Sequence, residues 1–275
     1  MCAIPAPNTV SGVKALVAVA DGMGGHQGGE VASRLAIEGV IARLGKNSDV
    51  DLIGNDRLET LTQVMLEIHE HVNSKSNTPE TRGMGTTLSV AVIGDENIIV
   101  AHVGDSRIYR ARQGELTQLT EDHSWVAEEV RRGKLTAAEA AVHPRRNLIL
   151  QAIGVTPVIE PMIAEFDLAV GDKILLCSDG LHGLVTDEDI LGIIEGVSPE
   201  IAVETLVEKA NAAGGPDNIT VVLANVVSLS VDPNHGNLSE VDTICLTAMR
   251  RPLWVRLLSG LLKLPSRLFR RLWRK

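Results

Sequence analysis

Apolar and polar positions along this chain switch between two periods, and each switch marks an element. The run Lys14 to Ala20 (KALVAVA) is almost wholly apolar and closes on Asp21-Gly22-Met23-Gly24-Gly25-His26, so a buried strand is expected to end in an acid and a backbone that cannot stay regular. Helical spacing follows. Val31, Leu35, Ile37, Val40, Ile41 and Leu44 recur along residues 29–44, and Leu58, Leu61, Val64, Met65 and Ile68 share a face from Arg57 to about Asn73. The period then shortens to two. TLSVAVIG, NIIVAHVG, SRIYRARQ and ELTQLT are separated by Gly-Asp, Gly-Asp-Ser and Gln-Gly, which predicts an antiparallel meander. Residues 121–150 are polar, helix-prone and broken at Arg131-Arg132-Gly133 and His143-Pro144, and read as an irregular excursion of functional length. Strands return at PMIAEFDL and DKILLCS, helices are expected near Asp187 to Ile194 and Pro199 to Ala212, and ITVVLANVV closes the pattern. Thr186 with Asp189 three residues on is a capping-box pattern.

Composition narrows the class. Apolar residues make up 44% of the 275 residues but aromatics only 2%, so Val, Leu, Ile and Ala must fill the core of a sheet-rich α+β fold. No Pro/Ser-rich linker cuts residues 1–229, which read as one catalytic domain, with a linker over 230–249 and a basic amphipathic tail over 250–275. That tail holds nine Lys/Arg and no acid, leaving 17 basic and 35 acidic residues in the remainder. A body of net charge −18 is a poor partner for nucleic acid, whereas the tail suits an anionic surface. Cys2, Cys177 and Cys245 are an odd set without CxxC spacing, against a disulfide framework or a zinc site. With no signal-peptide pattern and no run of the roughly 20 apolar residues that a spanning helix needs, a cytoplasmic monomer is expected, membrane-associated through residues 250–275.

The candidate chemistry lies in four acids at strand ends: Asp21, Asp105 after NIIVAHVG, Asp179 after KILLCS, and Asp217 just before ITVVLANVV. Carboxylates at the ends of several apolar strands can converge on hard divalent cations. Taken singly, each is an ordinary turn residue. Asp105 could merely shape a Gly-Asp hairpin turn, and Gly24, Gly25, Gly28 and Gly29 read as packing glycines between the first turn and the first helix. Cys177 reads as a small core side chain, Arg107 and Arg110 as solvated or paired, and Thr86 and Thr87 as strand formers. His26 is read first as structural and second as a proton donor to a leaving alkoxide.

Taken in order, VADGMGGHQGGEVAS (19–33), GMGTTLSVAVIG (83–94), VGDSRIYR (103–110), LTEDHSWV (119–126), HPRRNLILQAIG (143–154), LLCSDGLHGLV (175–185) and GGPDNITVVL (214–223) resemble the bacterial type 2C metal-dependent serine/threonine protein phosphatases. The resemblance implies an α-β-β-α sandwich of two mostly antiparallel sheets flanked by helices, with a binuclear Mn2+ or Mg2+ centre at one end. It implies that Asp21 bridges two ions, that the Gly22 carbonyl binds one, that Asp179 and Asp217 hold the other, and that Asp105 with Asp179 holds a third, weaker ion. Residues 121–146 are then a flap beside the site. Phosphoserine or phosphothreonine would be hydrolysed by attack of metal-bound hydroxide, the partners being phosphorylated proteins and a eukaryotic-like Ser/Thr kinase.

One departure stands out. The N-terminal strand that in this family carries a phosphate-binding Arg and an Asn-Glu-Asp or Asn-Gln-Asp triplet is missing from Met1-Cys2-Ala3-Ile4-Pro5. Either the start lies upstream, or this is a shortened relative, impaired and acting as a phosphoprotein-binding pseudophosphatase. A small-molecule phosphoester hydrolase is the other enzyme reading. If the strand is lost, the first apolar run is expected to lack a neighbour on that side.

Overall fold

The computed structural model describes residues 2–5, 13–24, 26–45, 50, 52, 54–227 and 248–249. In chain order its elements begin β1 (Cys2–Pro5), β2 (Ala15–Val19), β3 (Gly22–Met23), α1 (His26–Leu44), α2 (Arg57–Ser74), β4 (Gly85–Thr86), β5 (Leu88–Ile93) and β6 (Asn97–Val103). They continue with β7 (Arg107–Arg112), β8 (Glu115–Gln118), α3 (Trp125–Arg131), α4 (Ala137–Val142), β9 (Met162–Asp167) and β10 (Lys173–Cys177). The last are α5 (Asp179–His182), α6 (Asp187–Gly196), α7 (Pro199–Ala212), β11 (Ile219–Asn225) and β12 (Ala248–Met249).

Two five-stranded antiparallel sheets, ordered β1-β2-β5-β6-β9 and β12-β11-β10-β7-β8, form the middle of the molecule. The continuous apolar runs are explained by burial on both faces. Ala15, Val17 and Val19 point between the sheets, where they meet Ile98, Ile174 and Val222. Leu16 and Ala18 point outward against α1 and α2, with Val40, Leu61 and Met65. On the far side Leu175, Cys177, Val221 and Leu223 pack under α6 and α7. The result is the expected α-β-β-α sandwich, and Cys177 is the core side chain it was read to be.

Three expectations need correction. The meander is not one sheet: β5 and β6 pair in the first sheet, whereas β7 pairs with β10 and β8 in the second, so residues 104–106 cross from sheet to sheet. The β5–β6 and β7–β8 steps are both tight hairpins: the Gly94 N–H donates to the Asn97 carbonyl at 2.9 Å across Asp95-Glu96, and Gln113 (φ 54°) with Gly114 (φ 80°) makes the second turn, of positive φ. The first apolar run is not left without a neighbour, because β1 pairs along it from Cys2↔Ala18 to Pro5↔Ala15. Within the span read as a linker, Ala248–Met249 add a short strand to β11, with Ile219↔Met249 and Thr220↔Ala248 in register. The tail over 250–275 and most of the linker lie outside the described residues. So does Gly25.

Candidate functional site

Antiparallel pairing decides where the four acids go. β2 and β6 both flank β5 and therefore run the same way, so Asp21 and Asp105, each two residues past its strand, leave at one end. In the second sheet Cys177 pairs with Val221, which places Asp179, just after β10, beside Asp217, just before β11. Burial and the three other acids push the Asp21 carboxyl up to about 8, with Asp179 the largest contributor among them. Asp105 is pushed up to about 7, by burial first and by Asp179 next. Burial and Asp217 also raise Asp179, which shares a hydrogen bond with Asp21. The structure therefore brings together the acids that the sequence singled out.

The backbone around Asp21 is clamped. Its N–H donates to Thr87 Oγ1 at 2.9 Å, while its carbonyl accepts from Thr86 Oγ1 at 2.8 Å and from the Thr87 N–H at 2.9 Å. Thr87 Oγ1 lies 2.7 Å from Ser106 Oγ, tying the clamp to the sheet-to-sheet crossing that carries Asp105. These threonines, read from sequence as strand formers, hold a site residue in place. Gly22 follows directly and pairs with Thr86. A Cβ at Gly22 would come within 2.0 Å of the Gly29 carbonyl oxygen, so only glycine lets β3 lie this close to α1. Gly29 is needed for the same approach, its own Cβ falling 2.7 Å from Gly22. His26 opens α1, but its side chain is not among the described ones.

A cleft of about 760 Å³ opens over the acids. Asp105, Asp179 and Asp217 line it from the sheets, and Val126, Val130 and Ala140 from α3 and α4, the excursion over residues 121–150. Ser124 caps α3 by accepting from the Ala127 N–H, and Thr136 with Glu139 forms a full capping box on α4. On α6 the expected box is half made. Thr186 accepts from the Asp189 N–H, while the Asp189 carboxylate pairs with Lys209 at 2.8 Å.

Arg107 is paired, as expected, and its partner was not foreseen: it makes a fork onto Asp122, with Nε at 3.0 Å and Nη2 at 2.8 Å. Burial opposes Asp122's charge, and the Arg107 fork outweighs it, leaving that carboxyl below the usual range. His182 Nε2 donates to the Asp105 carbonyl at 2.9 Å, and burial with the nearby Arg107 pushes its pKa down to about 4, so it is neutral at pH 7. Nothing in the spacing of LLCSDGLHGLV signalled that contact.

The arrangement fits divalent cations held by oxygen. Asp179 Oδ1 is buried with no hydrogen-bond partner among the described atoms, and an unsatisfied carboxylate oxygen facing other carboxylates is costly unless a cation meets it. Among the described residues no three His, Cys, Asp or Glu side chains already form a closed ligand set. An open set of acids is nevertheless what a magnesium-like ion requires, since it keeps several of its waters.

The sequence profile described as Protein phosphatase 2C matches residues 7–212. The serine/threonine protein phosphatase PstP of Mycobacterium tuberculosis H37Rv is 42% identical over 229 residues, which are 82% of this chain and 42% of that protein. The chain thus spans about two-fifths of the length of that relative. Protein phosphatase PhpP of Streptococcus pneumoniae is 39% identical over 214 residues, covering 78% of this chain and 86% of that one. The crystal structure of the M. tuberculosis phosphatase PstP/Ppp superposes with a TM-score of 0.71 at 38% identity, over 82% of this chain and 94% of that chain. The PstP catalytic domain in complex with 2 manganese ions gives a TM-score of 0.67 at 38% identity, with the same coverage of both chains.

Proposed function

The chain belongs to the protein phosphatase 2C family, and on that premise we propose that it hydrolyses phosphoserine and phosphothreonine in proteins with the help of Mn2+ or Mg2+. The observation that carries this reading is the mutual repulsion of Asp21, Asp105, Asp179 and Asp217 around a buried, unpartnered Asp179 oxygen. In this proposal Asp21 and the Gly22 carbonyl would hold one ion, Asp21 with Asp179 and Asp217 would hold the second, and Asp105 with Asp179 would hold a weaker third. When bound, such ions would neutralise the phosphate dianion and lower the pKa of water. The chain's own residues do the rest. Thr86 and Thr87 fix the Asp21 backbone, the Gly22–Gly29 contact fixes the Gly22 carbonyl, and His182 fixes the carbonyl of Asp105. The cleft under α3 and α4 admits the phosphorylated segment. The test is phosphate release from a phosphothreonine peptide by the full chain with manganese, with magnesium and with chelator. Release with either ion and none with chelator is expected; release that ignores the chelator overturns the reading.

Two finer readings belong to the same proposal. The partners are phosphorylated proteins and an opposing eukaryotic-like Ser/Thr kinase, with the protein acting as a cytoplasmic monomer. The tail over 250–275 attaches to anionic membrane surface, its nine cations meeting headgroups while Trp254, Phe269 and Trp273 enter the interface with Leu257, Leu261 and Leu268. Among the described residues no helix is long and apolar enough to cross a membrane.

A further inference from the structure

We propose that His123 is a positioning residue through which the flap sets the place of Asp105, so that a substrate long enough to touch the flap also tunes the site; this rests on the phosphatase reading above. His123 stands at the root of the excursion, one residue before the Ser124 cap of α3. Its backbone N–H donates to the Gly104 carbonyl at 2.7 Å, and its ring Nδ1 accepts from the Gly104 N–H at 3.3 Å. One residue therefore grips both polar groups of the residue that precedes Asp105. Its own carbonyl accepts from the Leu150 N–H at 2.7 Å, where the excursion returns to the body. The flap thus leaves and re-enters at a single node, which is bonded to the crossing.

The neighbours tighten that node. Asp122 holds Arg107 on the other side of Asp105 by the two-pronged contact already described. The His123 ring packs 5.1 Å from His102, whose Nε2 donates to the same Gly104 carbonyl at 3.0 Å and whose Nδ1 accepts from Ser89 Oγ at 2.8 Å. Gly104 has φ 117° and lies against Thr87, so close that a Cβ there would fall 2.6 Å from Thr87 Cγ2. The crossing has no room to adjust on the sheet side. Any displacement of the flap root is therefore passed to Gly104 and Asp105 rather than absorbed. A phosphoester too small to reach α3 and α4 does not load the flap, whereas a phosphopeptide does.

The experiment compares the full chain with His123→Ala, His123→Gln and His123→Asn on para-nitrophenyl phosphate and on a phosphothreonine peptide, in saturating manganese. Loss of the acceptor should lower kcat on the peptide about tenfold with little change in KM, and change the small ester less than about twofold. His123→Asn, whose Oδ1 can replace Nδ1 as the acceptor for the Gly104 N–H, should restore most of the peptide rate, and His123→Gln, with the acceptor displaced by one methylene, should not. If His123→Ala does not fold, the Gln and Asn pair carries the comparison. Amide hydrogen exchange gives a readout apart from turnover: exchange at Gly104 in the metal-free chain should quicken in Ala and Gln and stay slow in Asn. Equal loss on both substrates, unchanged exchange at Gly104, or failure of Asn to restore the peptide rate overturns the coupling. If the wild-type chain releases phosphate from neither substrate, the phosphatase reading fails instead, while the exchange comparison still judges the contact.

Discussion

At the scale of single residues, the acids were legible because each stands at the end of an apolar run, Asp21, Asp105 and Asp179 where one stops and Asp217 where one starts, and a run buried on both faces leaves its chain ends little choice of direction. The groups that hold them were not. Thr86, Thr87, Ser106 and His182 act across separations of 19 to 77 residues, and no local period records such pairings. Two predictions belong here. Asp21 is pushed from 3.8 up to about 8 in the folded chain, so the folded state keeps a proton that the unfolded state has released. Its contribution to stability is therefore present below about pH 4 and is lost as pH climbs toward about 8. Asp21→Asn should raise the melting temperature of metal-free protein at about pH 8 and leave it little changed at about pH 4, as scanning calorimetry in chelator would read. Thr87→Val keeps the shape but removes the acceptor for the Asp21 N–H. It should cost about 1–3 kcal/mol of stability in denaturant melts and lower phosphopeptide turnover, because a buried donor next to the site is left unmet.

At the scale of elements, periodicity located helices and strands well and their partners poorly. SRIYRARQ follows NIIVAHVG with the alternation of a hairpin, and alternation is the same whether the next strand pairs in the same sheet or crosses to another. The crossing depends on Gly104 at φ 117°, a conformation unfavourable for residues with a Cβ, and on contacts to Thr87 and His123 that lie elsewhere in the chain. The two-residue strands β3 and β4 and the one-turn α5 were too short for any pattern to register. Their role shows in the closeness of β3 to α1. Gly29→Ala should therefore be damaging although it favours the helix, since its Cβ must push Gly22 away. About 1–3 kcal/mol of destabilisation by overpacking, with a weaker response of turnover to manganese, is expected from melts and rate titrations.

At the scale of the whole molecule, the sandwich followed from burying three layers of apolar surface, which the sequence displayed as double-faced runs between amphipathic helices. The separation of charge belongs to this scale too: a body of net −18 and a tail with nine cations and no acid cannot both favour the same surface. Vesicles of phosphatidylcholine with about a third phosphatidylserine should sediment the full chain at low salt and release it at about 0.5 M salt, while neutral vesicles should not bind it. Retention in the supernatant with anionic vesicles contradicts the membrane role of the tail.

The claim on which the rest depends is that the crowded acids at the end of the two sheets bind the divalent cations that drive phosphate release. The most direct measurement is the initial rate on a phosphothreonine peptide across a manganese titration, for the full chain and for Asp21→Asn. The wild type should rise from no detectable rate in chelator to saturation, and the variant should remain lower by about a thousandfold, equivalent to roughly 4 kcal/mol of lost transition-state stabilisation, at every manganese concentration. A variant that reaches the wild-type rate once manganese saturates would contradict the account.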